Sequence, residues 1–77
     1  MITLVVVRTR EPHRQAEALR AALGLTLRGA RVEVAVEGEL LTPLAVRAAE
    51  TLRSFGYPVG VELREAMGRA DAVEVWT

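Results

Sequence analysis

The chain has 77 residues, 51% of them apolar, with ten basic side chains (all Arg) balanced by ten acidic ones and one His left over. That length allows a single domain, and zero net charge gives no general attraction to nucleic acid or anionic lipid, so neither is an expected partner. The absence of cysteine excludes a disulfide framework, a thiolate metal site and any cysteine nucleophile. A chain this small is marginally stable alone, so its high apolar content points to buried area shared with another subunit.

Ile2–Val7 is β-branched and continuously apolar, which predicts a strand covered on both faces. Thr9–Pro12 ends it, and Pro12 suits the first turn of a helix running to Arg28, with Gly29 as the residue just past its end. This helix carries two apolar stripes. Ala16, Leu19, Leu23, Thr26 and Leu27 form one, expected to meet the sheet; Ala18, Ala22 and Leu25 form a second, expected to meet a partner chain. Arg31–Glu37 alternates strictly and predicts a strand with one apolar face. Thr42-Pro43 is a cap followed by Pro, predicting a helix to Phe55 closed by Gly56. Pro58–Glu62 reads as a short strand, Leu63–Met67 as about one helical turn stopped by Gly68, and Ala72–Thr77 as a last strand. In that strand Val73 and Val75 are expected to face the core, with Trp76 opposite as an interface anchor or under the third helix.

The order β-α-β-α-β-α-β predicts a three-layer α/β/α domain over residues 1–77, with a four-stranded, mainly parallel sheet. The first strand is expected inside the sheet beside the second, its carboxyl end at the point where winding reverses and α/β sheets bind ligands. Arg8, Thr9, Arg10, Glu11, Pro12 and His13 occupy that point, with Arg14 just inside the helix. Cations there oppose the helix dipole and want a negative partner. Arg8, Thr9, Arg10 and His13 can hold an anionic ligand beside free helix N–H groups, or Glu37 and Glu39 from the neighbouring strand can pair with the cations.

His13 is the only histidine, without a sequence partner for general-base work, and the acids show no paired spacing for catalysis or metal binding. The turn after the first strand has no glycine, which excludes a P-loop and a dinucleotide fingerprint. No cofactor or metal is therefore expected. Phe55, Tyr57 and Trp76 are too scattered to stack bases. No apolar run approaches bilayer length, and Met1–Val7 lacks the basic start of a signal peptide, so the expected location is the cytoplasm. The lack of Asn, with Gln15 the single side-chain amide, fits a thermophile, and a GC-rich genome accounts for the Arg bias equally well.

Ala18-Leu19 through Gly24, then Arg28 to Gly38, and the closing Ala70 to Trp76 resemble the DsrE/DsrF/DsrH-like sulfur-relay family. There an Ala/Leu-rich helix ends in Gly before an alternating valine strand and an acidic or glycine loop. The resemblance implies a three-layer α/β fold assembling into trimers or hexamers, often with related subunits. Catalytic members carry sulfur as a persulfide on a cysteine, which by rough alignment falls around Glu62–Leu63. With no thiol this chain cannot carry that sulfur. The expectation is a non-catalytic assembly or accessory subunit contacting itself or a cysteine-bearing homologue. The alternatives are a small anion- or nucleotide-binding sensing module built on the loop after the first strand, and an enzyme using His13.

Overall fold

The computed structural model describes residues 1–77. Its elements in chain order are β1 (Ile2–Val7), α1 (Pro12–Thr26), β2 (Arg31–Val36), α2 (Pro43–Ser54), α3 (Leu63–Arg69) and β3 (Ala72–Trp76). The sheet is all parallel with order β2-β1-β3. β1 is central, and Leu4 to Val7 are buried, as its unbroken apolar run requires.

The sheet has three strands, not the four expected. The Pro58–Glu62 segment makes only one parallel bridge, Val34 to Val59. Pro58 has no N–H to donate, and Gly60 at φ +94° turns the chain out of the extended conformation directly after Val59. What remains is local: Val34 N–H donates to the Pro58 carbonyl at 3.0 Å, and the Val34 carbonyl accepts from Gly60 and Val61 at 2.7 and 3.2 Å.

The larger core lies on one face, where Val5, Val7, Val32 and Val34 of the sheet meet Ala16, Ala18, Leu19 and Ala22 of α1 and Ala45, Ala48 and Leu52 of α2. The other face is thinly covered. Leu4, Val6 and Ala35 meet Ala66, the one buried residue of α3. α3 runs through Gly68 to Arg69, whose guanidinium holds both carboxylate oxygens of Glu33 on β2, at 2.9 and 3.1 Å from Nε. That pairing raises the Arg69 pKa above its already high ordinary value.

The last strand alternates as expected, with the coverage inverted. Val73 and Val75 lie in register with Leu4 and Val6, on the α3 face, and are 44% and 52% exposed. Trp76 is in register with Val7 and packs, partly buried, against the larger core. The physical reason is the brevity of α3, which packs over β1 and β2 and leaves β3 uncovered. Phe55 likewise stays exposed while Tyr57 packs against the core. No helix is long and apolar enough to cross a membrane.

Candidate functional site

The carboxyl end of β1 lies between its two neighbours and is pinned from both sides. Glu37 N–H donates to the Val7 carbonyl at 2.8 Å, while Arg8 and Thr9 N–H both donate to the Trp76 carbonyl at 2.8 and 3.0 Å. The segment that follows is thus held in place by backbone bonds before any side chain acts.

Each cation here has an intrachain partner except His13. Arg8 Nε pairs with Glu37 Oε2 at 3.1 Å, with both side chains more than half exposed. Such an exposed pair contributes about 0–1 kcal/mol. Arg10 Nη1 donates to the Glu37 and Glu39 carbonyls at 2.6 and 3.0 Å, clamping the loop that leaves β2. Gly38 sits under this clamp at φ +77°, and a Cβ there would lie 2.8 Å from Arg10 Nη1. Arg14 spreads its guanidinium 4.9 Å above the Trp76 ring and donates from Nε to the Thr77 carbonyl at 2.8 Å. Stacking of this kind stabilises by about 0.5–1 kcal/mol at an exposed site.

The negative partner wanted by the helix start is already present in the sequence. Glu11 caps α1, its carboxylate accepting from His13 N–H at 3.1 Å and Arg14 N–H at 2.6 Å. Those bonds, Arg14 first and His13 second, lower its pKa below the ordinary carboxylate value. The carboxylate takes the place on the helix N–H groups that an external anion would need. Thr9 is buried, its hydroxyl accepting from Glu11 N–H at 3.2 Å. The expected ligand set therefore does meet at one end of the sheet, with Thr9 and Arg10 committed to holding the backbone. His13 stays exposed, on an open groove of about 440 Å³ with Glu17, Arg20, Leu44 and Trp76. A second hollow of about 310 Å³ lies on the α3 face, where the Arg8–Glu37 pair borders Val6, Ala35, Val61 and Leu63. No three His, Asp or Glu side chains gather to hold a metal ion.

The residues expected at an interface separate. Ala18 and Ala22 are wholly buried in the chain's own core and present no outer surface. Leu25 is partly buried against that core, as is Trp76. Sequence reasoning placed Glu11 and Arg14 at this point without reading Glu11 as the cap or Arg14 as the Trp76 partner, and it gave Gln15 no structural role. Gln15 carried a signal: it stands four residues before Leu19 and seven before Ala22, on the buried side of the helix. Glu11 carried a weaker one, as an acid immediately before a Pro at the helix start.

Comparison of the chain with protein-family models, with curated proteins and with solved structures returned no match in any of the three.

Proposed function

We propose that this chain is a non-catalytic assembly subunit, working by contact with copies of itself or with a cysteine-bearing partner of the sulfur-relay kind that its sequence resembles. The observation that carries this reading is the apolar surface left on one side of the sheet. Val73 and Val75 on β3 and Leu63 and Met67 on α3 are each between 44% and 52% exposed on that side. A chain of this size gains most from burying such side chains against another subunit, at about 25 cal/mol per Å² removed from water.

The anion-binding alternative has less support. Arg10 is spent on two carbonyls, and the N–H groups that begin α1 are filled by Glu11. Catalysis by His13 lacks a partner: its backbone, not its imidazole, is what the structure engages.

Native mass spectrometry and sedimentation velocity test the assembly reading together. The expected result is an oligomer whose melting temperature rises with protein concentration. A monomer at high concentration with a concentration-independent melt overturns it, and a melting temperature raised by sulfate or phosphate but not by protein concentration would favour the anion reading instead.

A further inference from the structure

The two edges of the sheet differ. The β2 edge is partly closed by the Pro58–Val61 segment, while β3 pairs only with β1. The Trp76 carbonyl points to β1, where it accepts from Arg8 N–H. Peptide groups alternate in direction along a strand, so the N–H and C=O groups of Val73 and Val75 point to the open edge. The side chains of the same two residues stand exposed on the α3 face. An edge of this sort is a template for another strand.

We infer that the β3 edge receives β3 of a second copy of this chain, antiparallel, about a two-fold axis perpendicular to the sheet and midway between the two Val75 residues. The inference rests on the self-assembly reading above and names its contact surface. The result is one continuous six-stranded sheet with the α1 helices of both copies on the same side.

Charge selects both the occupant and the register. An axis at Glu74 would set two Glu74 carboxylates directly opposite each other, in the closer type of antiparallel pair, where like charges repel. An axis at Val73 would set Asp71 against Val75 and leave Glu74 facing Ala72. The axis at Val75 places Glu74 opposite Trp76 of the second copy. Glu74 already accepts from the indole Nε1 of its own Trp76 at 2.8 Å, and the Arg14 guanidinium lies 4.9 Å over that ring. Each carboxylate thus meets an indole N–H and a cation across the interface, and symmetry makes the contact twice. On the other face Val75 meets Val75, and Val73 meets Thr77. The patch is self-complementary, which a surface must be to pair with its own copy.

Because the chain has no cysteine, a single introduced one reports on the contact. In the proposed register the two Val75 Cα atoms are about 5.5 Å apart, within disulfide reach. The two Val73 positions are offset by four residues, roughly 13 Å along the strand, and lie beyond it. Val75→Cys is expected to give a covalent dimer on mild oxidation, and Val73→Cys is not. Glu74→Gln is expected to raise the dimer dissociation constant by about tenfold in sedimentation equilibrium. Both side chains replaced by Cys are surface-exposed, and circular dichroism checks that each variant folds. Cross-linking of Val73→Cys as readily as Val75→Cys, or tighter association of Glu74→Gln, overturns the register. An oligomer that neither variant cross-links overturns the β3 edge as the contact while leaving the assembly reading intact, and a monomer overturns both.

Discussion

The side-chain amide of Gln15, wholly buried in α1, donates from Nε2 to the backbone carbonyl of Glu39 at 3.0 Å. Its oxygen accepts from Leu41 N–H at 2.8 Å, so one carboxamide satisfies a donor and an acceptor of the loop between β2 and α2. The loop is thereby fastened from beneath by Gln15 and from the strand ends by Arg10. Replacing Gln15 with Leu preserves approximate size and removes both bonds. The Glu39 carbonyl keeps its bond from Arg10, so the Leu41 N–H is the group left without a partner, at a cost of about 1–3 kcal/mol. A fall of that order in unfolding free energy is expected in urea titration, and an unchanged midpoint would show that water replaces the amide without penalty.

Gly38 and Arg10 are expected to be coupled. Gly38→Ala places a methyl group against the guanidinium and asks Ala to hold a positive φ, at a cost above about 1 kcal/mol. Gly29→Ala has the same φ problem at +85° with nothing within 4 Å, and so serves as the strain-only control. Removing the clamp with Arg10→Ala relieves the crowding but not the backbone strain. The double variant should therefore lose less stability than the two single changes added together, and strict additivity in thermal melts would contradict the coupling.

The cap on α1 gives a pH dependence of definite sign. Glu11 has a folded pKa below its unfolded one, so its contribution is complete above the unfolded carboxylate range. It disappears as pH falls through the folded value. Glu11→Gln should be less stable than the natural chain near about pH 7, with the difference closing as pH falls below the ordinary carboxylate range and through the lowered folded value. A constant difference across that range would mean that the carboxylate charge plays no part.

Ala22 distinguishes a core position from a contact position. Enlarging a methyl to an isobutyl side chain in a packed core costs about 1–3 kcal/mol, so Ala22→Leu should lower the unfolding free energy by that amount without changing the oligomeric state. A change in association with no change in intrinsic stability would return Ala22 to an interface.

Much of the fold could be read from local pattern. Pro12, Thr42-Pro43 and the β-branched run of β1 are signals that act within a few residues, and each element they mark is present. What could not be read depends on coverage from a distance. Alternation separates Val73 and Val75 from Trp76, but which side is buried depends on how far α3 reaches, and that is set by a turn at Gly60 and a helix of only seven residues. The second stripe of α1 was legible as apolar, but whether the chain's own core or a partner met it was not. At the site, the convergence of Arg8, Arg10 and Glu37 followed from parallel strand topology. The engagement of Arg10 with carbonyls rather than carboxylates did not, since backbone acceptors leave no mark in the sequence.

The placing of β1 between β2 and β3 also bears on how the molecule comes together in time. Ile2 N–H donates to Asp71 Oδ2 at 2.7 Å across 69 positions of sequence, and the whole β1–β3 ladder closes loops of that length. β1, α1 and β2 can associate as soon as they are synthesised, but they form a two-stranded ribbon with one side bare. The third strand must wait for the far end of the chain, and pairings of such large sequence separation slow folding relative to helical proteins of equal size. During that interval Leu4 and Val6 lie open to water, so a nascent chain is most exposed to misassociation until α3 and β3 emerge.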